Sequence, residues 1–120
     1  MTTRTFSKQN FNQRLISVGY PVSYLLVGGG GSGGGSVGGG GGAGGFLSGS
    51  VNLTPTFNYT ITIGAGGASP SQQTKGNNGS NSSIIGTGFS VTAVGGGAGG
   101  TSVAGGTTLS NTQGAGGGSG

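Results

Sequence analysis

Aspartate, glutamate, histidine and cysteine are absent from all 120 residues, and tryptophan with them. A chain without carboxylates or imidazoles has no ordinary general acid or base. Ser-His-Asp and Cys-His constellations are impossible within it, and zinc and calcium lose their usual side-chain ligands. Lys75 is a group that in principle activates a serine, but nothing in the sequence places one beside it. The chain therefore reads as a non-enzyme with no metal and no cofactor. Without cysteine there is no disulfide framework either, so the redox compartment stays open.

Charge is nearly as scarce. Only 3% of the residues are charged, all four of them basic: Arg4, Lys8, Arg14 and Lys75. Nucleic-acid binders concentrate more basic residues than this, with aromatics between them, so no nucleic-acid partner is expected. Three of the four charges lie in the first fourteen residues, which fits a plain solvated leader or a basic arm. That start has no apolar core of signal-peptide length, and the longest apolar run, residues 24–27, is too short to span a bilayer. The expectation is a soluble chain without a signal peptide or membrane insertion. Three prolines and no Gly-X-Y period exclude collagen.

What is abundant is glycine, at 35 residues. Residues 27–45 read V-GGGG-S-GGG-S-V-GGGGG-A-GG. Such a run packs no side-chain core, and it loses much backbone entropy on ordering. Two readings follow. One is a flexible Gly/Ser linker. The other is polyglycine II, an extended helix with three residues per turn like polyproline II, whose bare backbones approach closely enough to hydrogen-bond sideways. A lone run has no neighbours to bond, but residues 95–100 and 114–120 repeat the composition. Low hydrophobicity, at 29%, overlaps the disordered range, yet disordered segments usually owe their solubility to charge. The near-neutral composition argues for a packed surface.

In chain order, residues 1–20 form an amino-terminal arm or attachment segment, extended or mixed in structure, and residues 21–120 a glycine-rich β domain. Residues 21–27 read as a strand, apolar on both faces at 24–27 and hence the most buried. Phe46 and Leu47 close the glycine block as an anchor, and residues 48–55 carry turn chemistry. Residues 57–63, F-N-Y-T-I-T-I, alternate cleanly and form the strongest strand signal, with Phe57, Tyr59, Ile61 and Ile63 on a buried face. Residues 69–83 are a polar loop containing Asn78-Gly79. Ile84-Ile85 add a short strand, and residues 89–94 another. Three strands run directly into glycine, at Val27-Gly28, Ile63-Gly64 and Val94-Gly95. A linker has no reason to be entered this way each time. A sheet whose strands continue as a packed glycine bundle has one. The fold expected is mainly β, a small antiparallel sheet or sandwich with glycine-rich segments packed as polyglycine II-like helices, in which a central glycine such as Gly40 tolerates no branched side chain.

Two motif matches carry no weight. Gly28, Gly30 and Gly33 mimic a dinucleotide fingerprint, but no helix opens there and no acidic residue follows. Glycosylation sequons at Asn52, Asn58, Asn78 and Asn81 arise by chance in a chain so rich in Asn, Ser and Thr.

The succession Y-L-L-V-GGGG, G-A-GG-F-L, Y-T-I-T-I-G-A-GG-A, N-S-S-I and a last strand-GGG-A-GG resembles the glycine-rich domain of bacteriophage tail and tail-fibre proteins. The resemblance covers residues 22–100, with a glycine-rich continuation to 120. Its most specific parts are residues 61–68 and 81–84. Family members have a Pro-Gly turn before the Tyr strand where this chain has Thr54-Pro55-Thr56, and they commonly continue past its final Gly-Gly-Ser-Gly, so the chain reads as a fragment or a short member. The resemblance implies a virion structural protein, adhesin-like and supporting host recognition. Its implied partners are other tail or fibre proteins and a host cell-surface glycan or outer-membrane protein. The alternatives are a purely structural spacer, an extracellular glycine-rich protein of the kind seen in anaplastic lymphoma kinase, which normally has cysteines, and an ice-binding polyglycine II protein. Snow flea antifreeze proteins of that last class keep a regular Gly-X-X repeat and disulfides, which are missing here. For a recognition module, the expected receptor contacts are Gln72, Gln73, Lys75, Asn77 and Asn78. Amides and ammonium groups donate to sugar hydroxyls, and loops on a rigid scaffold are where binding residues gather.

Overall fold

The structure, a computed structural model, describes residues 19–102. The arm expected at 1–20 falls almost wholly outside the described residues, as does the glycine run at 114–120. Five strands appear in order: β1 (Tyr20–Val27), β2 (Phe46–Leu53), β3 (Tyr59–Thr62), β4 (Ser82–Gly86) and β5 (Phe89–Ala93). They form two small antiparallel sheets, β1-β2 and β3-β4-β5. β1 lies over β4 and β5, and β2 lies over β5.

The sheets are only one half of the fold. Each strand pairing continues into the glycine segments without a slip in register. Val27 pairs with Phe46, and beyond them the Gly28, Gly31 and Gly34 amides donate to the carbonyls of Gly45, Gly42 and Gly39, each at 2.9 Å. Ser82 pairs with Ala93, and beyond them Gly79 donates to Gly96 at 2.8 Å and Gly76 to Gly99 at 2.9 Å. Thr62 pairs with Ser83, and Ser80 donates to Ala65 at 2.8 Å. Five glycine-rich segments are thereby laid side by side: segment I (28–35), II (38–45), III (64–70), IV (76–81) and V (94–101).

Bonds between the layers convert these pairs into a bundle. Segment I also donates from Gly29, Ser32 and Gly35 to Ser80, Asn77 and Thr74. It accepts at Gly29 and Ser32 from Gly96 and Gly99, and at Gly30 from Gly67. Segment II donates from Gly39, Gly42 and Gly45 to Gly100, Gly97 and Val94. Every series steps by three residues, which is the period of a polyproline II-type helix and not the two of a strand. Segment I is the hub, bonded to all four others. At the inward-facing positions the packing leaves no room for side chains. A Cβ on Gly31 would be driven into the Gly97 carbonyl, and one on Gly96 would meet the Ala43 carbonyl at 2.7 Å. The Cα hydrogens at such positions point at carbonyl oxygens, adding weak C–H···O contacts. The ordered bundle expected from the sequence is therefore present.

Several expectations are corrected. Gly40 is exposed and a Cβ there would meet nothing within 4 Å, because segment II covers one side of segment I and turns its other side outward. The face of Phe57, Tyr59, Ile61 and Ile63 is not buried. Ile61 is 67% and Ile63 87% exposed, and β3 starts at Tyr59, because the opposing two-stranded sheet covers β4 and β5 and stops short of β3. In β1 only Leu26 is buried, with Leu25 and Val27 exposed on the other face. Within the loop expected at 69–83, residues 76–81 are bundle and Ser82 opens β4.

Residues 46–53 are a full strand, where an anchor and turns were expected. Gly49 disguised it. It pairs with Tyr24, whose ring lies so close that a Cβ on Gly49 would meet its Cζ at 2.8 Å. Tyr59 covers its own partner Gly86 in the same way. In both sheets an aromatic ring takes the place of the missing side chain on the neighbouring glycine. The Thr54-Pro55-Thr56 stretch closes a β-turn, with Phe57 donating to Thr54 at 3.0 Å. No residue of it has positive φ, so the turn is type I, with Pro55 at the position whose φ proline fixes.

Candidate functional site

The five segments run between two ends, and the end remote from the sheets is built from two turns. Residues 35–37 join segments I and II, and residues 71–74 join III and IV. The Gly35 amide donates to the Thr74 carbonyl at 2.8 Å, and a Cβ on Gly35 would lie 3.2 Å from the Gln72 Cα, so the turns touch. Thr74 Oγ1 donates to the Ser71 carbonyl at 2.7 Å, closing the second turn. Thr101, 2% exposed, donates from Oγ1 to the Gly35 carbonyl and pins the first turn to segment V.

Of the expected contact residues, Gln72 and Gln73 stand exposed on this tip. Lys75 follows them, half-buried, and is the one charged residue among those described. Asn77 and Asn78 point elsewhere. Asn77 Nδ2 donates to the Ala68 carbonyl at 2.9 Å, and its backbone amide donates to Ser32 Oγ at 2.8 Å. Asn78 Oδ1 accepts from the Ala98 amide at 2.8 Å, and Asn81 Oδ1 from Gly95 at 2.9 Å. These amides, three residues apart like the glycine bonds, act as surrogate carbonyls for segment V.

The other half of the tip, Ser36 and Val37, carries no local signal that sets it apart from the glycines around it. Val37 is 84% exposed. Ser36 has φ 56° and Gln73 φ 59°, and among the described residues these are the two non-glycine positions with positive φ. The left-handed region costs a side-chain-bearing residue about 1–2 kcal/mol that glycine avoids. In a chain with 35 glycines, both positions where glycine would be cheapest at the tip carry side chains. Strain of this kind gathers at functional sites.

The tip has chemistry for binding. It offers two primary amides, hydroxyls and one exposed aliphatic side chain. No buried side-chain polar atom among the described residues lacks a partner.

A mainly β scaffold ending in a hydrogen-bonded glycine bundle defines a glycine-rich domain. The model of the glycine-rich domain family matches residues 7–120, and the chain belongs to that family. No curated protein and no solved structure matches the chain at a significant level.

Proposed function

We propose that this chain is a non-enzymatic virion module of a bacteriophage tail or tail fibre. In this reading a rigid glycine bundle holds an adhesin-like tip toward the host surface. The observation that carries it is the pair of left-handed side chains, Ser36 and Gln73, kept on two touching turns at the free end of the bundle. A spacer would gain stability from glycine at both positions. Side chains retained against that cost fit a surface selected for contact. The partners in this reading are neighbouring tail or fibre proteins at one end and a host glycan or outer-membrane protein at the other. Primary amides and hydroxyls recognise sugar hydroxyls by paired donor and acceptor bonds.

The test replaces Ser36, Val37, Gln72 and Gln73 together by glycine in the particle. The left-handed strain is relieved, so the domain should hold its melting temperature against the new backbone freedom while adsorption to host cells falls. Unchanged adsorption with the fold intact would leave a purely structural spacer.

A further inference from the structure

The two layers at the sheet end are unequal. β1 lies over β4 and β5, β2 lies over β5, and nothing described lies over β3. On that side β1 has an unpaired edge. Between this edge and the inner face of β3 runs a groove of about 420 Å³, lined by Leu25, Val27, Ile61, Ile63, Ile84 and the buried Ser82. The register places Ile61 opposite Ile84, and Ile84 opposite Val91. These three share one face. Ile84 and Val91 are half-buried beneath β1, whereas Ile61 overhangs in the open.

We propose that a second copy of this chain fills the groove, with β3 of each copy seated beside β1 of the other. The shape is self-complementary for this arrangement. A two-fold axis lying between the layers sets the two-stranded sheet of one copy next to the three-stranded sheet of the other. Each layer then contains five strands in the order β2, β1, then β3, β4, β5 of the second copy. Both short layers are completed, and the inner faces carrying Ile61 meet across the axis. The contact is isologous and therefore closes at two copies.

Charge favours the same occupant. Among the described residues only Lys75 is charged, and it sits at the opposite end of the bundle, so no described residue at the sheets repels a second copy. Edge strands in monomeric proteins carry charges or prolines that block pairing. β1 and β3 carry no charge, and Pro21 at the start of β1 leaves the rest of that edge open. A charged partner strand would have to lose its hydration here without gaining an ionic contact, whereas β3 of a second copy brings only Tyr, Thr and Ile.

The test measures the mass of the full chain in solution by sedimentation, for the native sequence, Ile61→Asp and Ile85→Asp. Ile85 is exposed on the other face of the same sheet and controls for loss of an isoleucine. Amide protection at Gly31 and Gly96 reports in each variant whether the bundle is folded. The native chain and Ile85→Asp should sediment as dimers, and Ile61→Asp as a monomer with its bundle amides still protected. A native chain that remains monomeric, or a dimer equally lost in both variants, would overturn the arrangement. The outcome does not depend on adsorption to cells, so it fails or stands separately from the functional reading above.

Discussion

In the glycine bundle residues 95–99 are all buried, whereas across the five strands burial is confined to Leu26, Ser82 and Ala93. The usual division of labour is inverted. Elements with large side chains leave them exposed, at Leu25, Val27, Phe46, Ile61 and Ile85. The element without side chains forms the interior. There the backbone is both the packing material and the hydrogen-bonding network, and each residue contributes through close approach. The sheets act as collars that set the register the bundle inherits.

The sharpest break of this comparison is a single methyl group. Gly96→Ala should cost at least about 3 kcal/mol, the upper range of overpacking, since its Cβ would lie 2.8 Å from the Ala43 carbonyl carbon. Gly40→Val should change the thermal midpoint little, because that direction is empty. Equal losses at both would mean that glycine matters here for composition and not for position.

A smaller loss is expected at the two clamps. Ser82 is 2% exposed, accepts from the Gly64 amide at 2.9 Å and donates to the Val27 carbonyl, tying both sheets together where the bundle begins. Ser82→Ala should cost about 1–3 kcal/mol, the penalty for leaving buried polar groups unsatisfied. Asn78→Ala removes one surrogate carbonyl from segment V and should cost about 0.5–1.5 kcal/mol by chemical denaturation.

The collars themselves should tolerate change. Ile61→Ala, read at protein concentrations low enough to keep the chain monomeric, should stay within about 0.5 kcal/mol, as exposed sites do. A loss of several kcal/mol would restore a buried β3 face. Last, the unfolding midpoint should be flat between about pH 5 and 7, because the side chains that titrate there or just below, Asp, Glu and His, are absent.

Much of the fold was legible because strand and glycine each leave a clear mark. Alternation at residues 59–62 and entry from Val27, Ile63 and Val94 into glycine pointed to a sheet continued by a bundle. What was hidden depends on partners far away in sequence. Residues 46–47 read as an anchor and 48–53 as turn chemistry, because the strand's Gly49 is completed only by the ring of the distant Tyr24. The burial of the β3 face seemed assured by its alternation, but burial needs an opposing layer, and the number of strands in that layer is not written in β3. Which glycines are crowded depends on where five segments meet, so Gly40 was indistinguishable from Gly41. At the tip, Gln72 and Gln73 were readable as a polar turn. Ser36 and Val37 were masked by the glycines around them, and Asn77 and Asn78 looked like surface amides until their bonds to Ala68 and Ala98 appeared.

The central claim is that the glycine run is held by bonds repeating every three residues. Residue-resolved hydrogen exchange across 28–45 tests it most directly. Slow exchange is predicted at Gly28, Gly29, Gly31, Ser32, Gly34 and Gly35, with Gly39, Gly42 and Gly45 on the return segment. Gly30, Gly33, Gly40 and Gly41 donate to no described residue and should exchange rapidly. Uniformly fast exchange would make the run a linker, and protection alternating every second residue would make it a strand; either result would contradict the bundle.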